Sequence, residues 1–108
     1  MQDRLPAVTH LQFMVLGLLH SGDLPGREVR EVLIRYGVKS TTAAFYQMMA
    51  RLERDRLIDG WYEQITIGDQ AVTERRYRLK PSGEKLWRDA RAFYAAPPAK
   101  ARRRLSDA

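Results

Sequence analysis

The sequence predicts a mainly α-helical fold with a β-hairpin wing, arranged as a winged helix-turn-helix with one more helix at its C-terminal end. Three observations carry this prediction. Two amphipathic helices are joined by a connection of about four residues, as in helix-turn-helix units. The apolar period then changes from that of a helix to that of strands around a Gly-Asp turn. Pro81 finally marks the start of another helix.

The first predicted helix begins at a capping box. Thr9 and Gln12 have the Thr-x-x-Gln spacing in which each side chain bonds the other residue's backbone N–H. Apolar residues between Leu11 and Leu19 occupy nearly the whole circumference, so this helix is expected to be buried on more than one side. His10 and His20 lie at its two ends, outside the spacing of a helical metal pair, and are interpreted as surface or capping residues.

The second and third helices each carry an apolar stripe at positions i, i+3, i+4 and i+7. A turn cluster over residues 21–26 precedes the second helix, which is predicted to end at Tyr36 because Gly37 can adopt a left-handed C-cap. The third helix lies within the stretch Ser40 to Gly60, and Ser40, Thr41 and Thr42 are its N-cap candidates. Its face opposite the stripe carries no acid and consists of Ala43, Gln47, Ala50, Arg51 and Arg54.

Two β-rich runs flank the Gly-Asp turn and predict the hairpin. If Ile67 pairs with Val72, Tyr62 lies opposite Tyr77 on the neighbouring strand. This register could be shifted by one residue, because the length of the turn is assumed. Arginines at positions 75, 76 and 78 lie close together on the returning strand. We therefore expect a basic wing.

The last helix is predicted from Pro81 to about Ala96, where two prolines stop it, and Gly83 weakens its first turn. It carries two apolar stripes about 90° apart. One small domain does not readily cover both, so we predict a symmetric dimer formed by the first and last helices. The residues assigned to the dimer or to a ligand are Leu18, Leu86, Trp87, Phe93 and Tyr94.

Length and composition fit one small globular domain. The chain has 108 residues, of which 44% are hydrophobic, and it has no cysteine. We expect a loose arm over residues 1–8, a winged helix over 9–80, a dimerisation helix over 81–96 and a basic, disordered tail over 97–108. Neither a secretion signal nor an apolar run long enough for a bilayer is found, so we expect a cytoplasmic protein without membrane contact.

No arrangement of residues in the sequence predicts catalysis. Paired carboxylates, nucleophile and base pairs, Gly-rich phosphate loops and metal-ligand spacings are all missing from the sequence. We therefore expect neither an enzyme nor a bound cofactor or metal. The formal net charge of +6 and the pI near 10.1 instead favour an anionic partner.

Several short motifs follow one another in a specific order and spacing. They are Leu16-Gly17-Leu18-Leu19, Gly26-x-x-Val29, Phe45-Tyr46, Leu52-Glu53-x-Asp55-x-Leu57-Ile58 and Arg76-Tyr77-Arg78-Leu79-x-x-x-Gly83. Together they resemble the PadR-like winged-helix transcriptional regulators over residues 15–86. The resemblance implies a homodimeric, usually repressing DNA-binding protein. Its third helix would lie in the major groove, its wing on the backbone or minor groove, and its last helix in the dimer interface.

Two positions depart from the family pattern in ways that matter for DNA contact. Ala44 replaces a hydroxyl residue that the resemblance associates with a phosphate or cap contact. Arg56 replaces a glycine, and so places a side chain where a left-handed turn is expected.

The DNA contacts are predicted on the third helix and the wing. Gln47 and Arg51 point outward and would read adenine or guanine edges through bidentate hydrogen bonds. Arg75 and Arg76 would hold phosphates. Tyr46 is assigned a backbone contact by the resemblance, with helix packing as its alternative. The full set is Thr41, Thr42, Ala43, Tyr46, Gln47, Arg51, Arg75 and Arg76.

Two other functions remain open at this stage. Winged helices also serve as protein-interaction modules, and fold alone does not fix function. An RNA-binding winged helix is the third interpretation. A small aromatic effector between Trp87 and Tyr94 is a further hypothesis, against which plain dimer packing is the simpler explanation.

Overall fold

A computed structural model describes residues 7–95. This part of the chain forms four helices and a three-stranded antiparallel sheet of order β1-β3-β2. The predicted tail, the helix end at Ala96 and most of the N-terminal arm lie outside the described residues. The elements are α1 (His10–His20), β1 (Leu24–Pro25), α2 (Gly26–Arg35), α3 (Thr42–Arg54), β2 (Ile58–Ile67), β3 (Gln70–Leu79) and α4 (Pro81–Ala95).

The hydrophobic core joins α1, α2, α3 and the base of the sheet. Its fully buried members are Val15, Leu16, Leu19, Val29, Leu33, Phe45, Met49, Leu52, Ile58 and Tyr77. The capping box of α1 is confirmed, since Thr9 and Gln12 exchange hydrogen bonds of 3.1 Å in both directions. Partly buried apolar side chains surround this core on several sides of α1, as its apolar circumference predicts.

Strand β1 corrects the interpretation of residues 21–26 as a turn cluster. Leu24 and Pro25 pair with Tyr77 and Arg76 of β3 and add a third strand to the hairpin. A two-residue strand has no period to detect, and its partner lies some fifty residues further along the chain. Only the packing of the whole domain creates this pairing.

The predicted hairpin register was wrong by two residues. Ile67 pairs with Gln70, so the turn contains only Gly68 and Asp69, and Gly68 takes a φ of +62° as a type II′ turn requires. Tyr62 consequently lies opposite Arg75, while Tyr77 lies opposite Gly60. The expected pair of Tyr62 and Tyr77 across the strands does not form. Tyr77 is buried and Tyr62 is exposed.

Two left-handed residues close α2 and α3, as the sequence predicts. Gly37 has a φ of +88°, and α2 ends at Arg35, one residue before the predicted end at Tyr36. Arg56 has a φ of +60° after α3, in the position where the resemblance implies a glycine. The backbone then turns into β2, and Ser82 of α4 donates a hydrogen bond to the Arg56 carbonyl.

Helix α4 packs on α1 through one large side chain. The indole of Trp87 lies over Gly17, where an added Cβ would be 2.9 Å from the ring nitrogen. The ring also stacks on His20 at 4.2 Å between centroids and on Phe13 at 6.4 Å. Nearby, Glu84 accepts a hydrogen bond from His20 at 2.5 Å. Much of Trp87 is therefore covered by its own chain.

Candidate nucleic-acid interface

The outer face of α3 is exposed and free of acid. Ala43, Gln47, Ala50, Arg51 and Arg54 are all exposed, while Phe45, Met49 and Leu52 are buried on the opposite face. Within residues 7–95, neither Arg51 nor Arg54 takes part in an ion pair. This face therefore offers two guanidinium groups and one amide to a partner.

The first turn of α3 is small and polar. Thr41 is the N-cap, and its hydroxyl accepts a hydrogen bond of 3.0 Å from the Ala44 backbone N–H. Thr42 and Ala43 follow in exposed positions, and their backbone N–H groups belong to the unpaired set at a helix N-terminus. A phosphate oxygen can accept hydrogen bonds there.

Tyr46 is half-buried at the edge of α3. Its ring meets Phe45 edge to face at 4.9 Å and lies against Gly26 at the start of α2. A Cβ at Gly26 would be 3.0 Å from both Tyr46 and Tyr77, so the missing side chain makes room for the two rings. The structure thus gives Tyr46 a packing role within the chain. Its predicted DNA contact stays a prediction.

The expectation of a basic wing was wrong because carboxylates neutralise its arginines. Arg76 pairs with Glu63 and Glu74 at 3.2 and 3.0 Å and approaches Asp23 of the loop before β1 at 3.9 Å. Arg78 pairs with Asp59 at 3.3 Å. Over residues 58–79, three arginines stand against the four acids Asp59, Glu63, Asp69 and Glu74. Whether Arg75 or Arg76 contacts phosphate stays a prediction.

Arg75 lies between α3 and the wing. Its guanidinium donates to Glu53 at 2.5 Å and sits 4.6 Å above the Tyr62 ring, and both members of the ion pair are about one-quarter exposed. Burial would lower the pKa of Arg75, but the charge and hydrogen bond of Glu53 outweigh it and raise that pKa. Burial raises the pKa of Tyr77, the other ring near this guanidinium, to about 12.

These side chains border an open cleft of about 560 Å³ between α3 and the hairpin, which Ala50 also lines. Sequence reasoning missed the partnership of Glu53 with Arg75. The one signal available was that Glu53 is the only acid within α3. The local spacing gave it no partner.

The residues assigned to a dimer are covered to different degrees. Leu18, Leu86, Trp87 and Phe93 are half-buried within the chain, whereas Tyr94 is 59% exposed. The ring of Tyr94 meets Phe93 edge to face and borders a largely apolar groove of about 320 Å³ against the start of α1. Val8, Thr9, His10 and Phe13 line the other side of this groove.

Residues 7–95 contain no cluster of metal ligands and no helix suited to cross a membrane. No three His, Asp or Glu side chains there come together as metal ligands. None of the helices in that range combines the length and the apolar character needed to cross a bilayer.

Comparison with known proteins identifies the fold. No protein-family model and no curated protein matches the sequence. Solved structures do match. A PadR family transcription regulator from Clostridium difficile has a TM-score of 0.69 at 15% identity, covering 81% of this chain and 88% of its own. A PadR-like transcriptional regulator from Bacillus cereus also has a TM-score of 0.69, at 14% identity, covering 88% and 90%.

A third neighbour was solved with DNA. Bacillus subtilis PadR in complex with operator DNA matches with a TM-score of 0.60 and 20% identity, over 75% of this chain and 46% of that one. At these identities the likeness establishes the fold. The resemblance seen in the sequence is thereby confirmed at the level of architecture, as a winged helix with a β-hairpin wing.

Proposed function

From this PadR-like winged-helix fold, we propose that the chain is a sequence-specific DNA-binding transcriptional regulator. The observation that carries the proposal is the exposed, acid-free face of α3, on which Arg51 and Arg54 form no ion pair with any other residue of the range 7–95. An α-helix fits the major groove of B-DNA, where Gln and Arg recognise adenine and guanine edges. Gln47 and Arg51, one helical turn apart, are the base-reading residues.

The phosphate contacts belong mainly to α3 and its first turn. The N–H groups of Thr42 and Ala43 bind one phosphate, and Arg54 binds another further along the helix. Arg75 and Arg76 would first have to leave their carboxylate partners to bind phosphate. The wing therefore contributes less to affinity than its three arginines suggest.

The regulator acts as a homodimer on a pseudo-palindromic operator and represses transcription. Two copies of α3 related by a two-fold axis would enter successive major grooves about 34–36 Å apart. The exposed Tyr94 and the apolar groove beside it supply a surface for the contact between copies. We include no aromatic effector in the proposal. Trp87 is already covered by α1 of its own chain, so plain packing accounts for this residue.

Binding of the full chain to duplex DNA at several salt concentrations tests the proposal. We expect affinity for random duplex to fall steeply with salt, because phosphate contacts release counterions. Protection mapping on the DNA upstream of the protein's own gene should then reveal two half-sites. Absence of binding to any duplex at low salt would contradict the proposal.

The neutralised wing favours one alternative, a winged-helix module for protein interaction. The same salt titration separates the two functions, because the alternative predicts little DNA binding at low salt. Tighter binding to structured RNA than to duplex DNA would instead support an RNA-binding function.

A further inference from the structure

The contact between Glu53 and Arg75 joins the two elements that would meet DNA. Glu53 lies near the C-terminal end of α3, and Arg75 lies on β3 of the wing. Their 2.5 Å ion pair spans 22 residues of sequence. Partial burial strengthens such a pair relative to an exposed one, since water screens it less.

Gly60 makes this contact sterically possible. It lies on β2 opposite Tyr77, and a Cβ at this position would overlap the Glu53 carboxylate and come within 2.8 Å of the Arg75 guanidinium. The φ of Gly60 is not in the left-handed region, so backbone conformation does not demand a glycine here. The space occupied by the ion pair does.

Aromatic rings hold the guanidinium from the wing side. Tyr62, directly opposite Arg75 in the register, places its ring 4.6 Å from the guanidinium carbon, and the Tyr77 ring centroid lies at 5.8 Å. A cation over an aromatic face is attracted by the ring. Arg75 is thus fixed on α3 by charge and on the wing by two rings.

We propose that Glu53, Gly60 and Arg75 form a clasp that sets the angle between α3 and the wing. Arg75 is then a positioning residue and not a phosphate contact. The inference rests on the proposed DNA-binding function for its biological meaning. The clasp itself is a property of the free protein and can be measured without DNA.

The DNA-free test measures the distance between α3 and the wing tip. Because the chain has no cysteine, cysteines introduced at Thr42 and Asp69 can carry spin labels specifically. Labelled chains are diluted with unlabelled ones so that only distances within one chain contribute. We expect Glu53→Gln and Gly60→Ala to broaden the distance distribution, and Asp55→Asn, which removes an acid outside the clasp, to leave it unchanged. A Glu53→Gln protein that folds with an unchanged distribution would overturn the clasp.

The DNA test uses the duplex protected upstream of the protein's own gene and a random duplex of equal length. The clasp predicts that Glu53→Gln weakens binding to the protected duplex by about two- to thirty-fold, the range for residues that act without touching the ligand. The salt dependence stays as in the wild type, and Arg75→Gln behaves the same way. In the double variant the losses should not add.

If Arg75 instead binds phosphate, Glu53→Gln should change the affinity for DNA in the opposite direction. Glu53→Gln would then free the guanidinium and tighten binding beyond the gain given by Asp55→Asn, while Arg75→Gln would reduce the salt slope by about 0.9. Either result overturns the clasp. Failure of the wild-type chain to bind both duplexes contradicts the proposed function instead, and the distance measurement still decides the clasp.

Discussion

At the scale of single residues, Gln47 and Arg51 are the side chains whose loss should change sequence preference. We expect Gln47→Ala or Arg51→Ala to cost about 1–3 kcal/mol of discrimination between the protected and the random duplex, because a bidentate base contact is lost. Arg54→Ala is the matched control on the same exposed face and should weaken binding to both duplexes alike. Competition binding at fixed salt measures the ratio of the affinities for the protected and the random duplex. Unchanged discrimination in both Gln47→Ala and Arg51→Ala would refute the prediction that these two side chains of α3 read bases.

Thr41 tests the start of α3 independently of DNA. Its hydroxyl caps the Ala44 N–H, so Thr41→Ala should lower the free energy of unfolding by about 1 kcal/mol. Thr42→Ala is the control, because Thr42 is the first helical residue and has no capping hydrogen bond in the described structure. Urea unfolding followed by circular dichroism measures both. Equal losses in the two variants would refute the assignment of the cap.

Glu84 should make the stability of the chain depend on pH. Hydrogen bonds from His20 and then from Arg88 lower the pKa of Glu84 below its ordinary value. A carboxyl whose folded pKa is depressed stabilises the fold above its unfolded pKa of about 4.5, and this contribution disappears as the pH falls through the folded value. We expect the unfolding free energy of Glu84→Gln to change less with pH between about 5 and 3 than that of wild type. If the unfolding free energies of wild type and Glu84→Gln change equally with pH, Glu84 does not contribute to the pH dependence of stability.

At the scale of elements, the packing of α4 on α1 depends on Gly17. We expect Gly17→Ala to lower the free energy of unfolding by up to about 2 kcal/mol, because displacing the Trp87 ring costs more than alanine gains in the helix. With Trp87→Leu in place the ring is gone, and the same change should stabilise by about 1 kcal/mol. Denaturant unfolding of the wild type, the two single variants and the double variant gives the sign of the Gly17→Ala effect on stability in each background. The same sign in both backgrounds would show that the two residues do not compete for space.

At the scale of the whole molecule, the predicted dimer is best probed at Tyr94. Trp87 is a poor probe since its loss would also damage the protomer, whereas Tyr94 is 59% exposed on α4. We expect Tyr94→Glu to give a folded monomer with much weaker binding to the protected duplex. Lys85→Glu places the same charge on the opposite side of the helix and should stay dimeric. Sedimentation measures the oligomeric state of each protein. A wild-type chain that remains monomeric at micromolar concentration would refute the dimer.

Much of the architecture follows from local patterns in the sequence. Apolar stripes predict the helices, the Thr9 capping box fixes the start of α1, and Gly37 marks the end of α2 within one residue. Each of these signals acts within one or two turns of chain, so neighbouring residues suffice to determine it. The left-handed conformation of Arg56 also follows, because the family resemblance implies it at that position.

Tertiary structure alone decided how distant charged and polar groups meet. The pairing of β1 with β3 and the partners of Arg75 and Arg76 depend on where elements lie after packing. Charge composition places three arginines on the returning strand, but their effect on a partner depends on carboxylates brought close by the fold. Coulomb interactions act over a few ångströms of space irrespective of separation along the chain. The sequence therefore determined the fold and the acid-free face of α3, and the structure determined which cations on the wing are already neutralised.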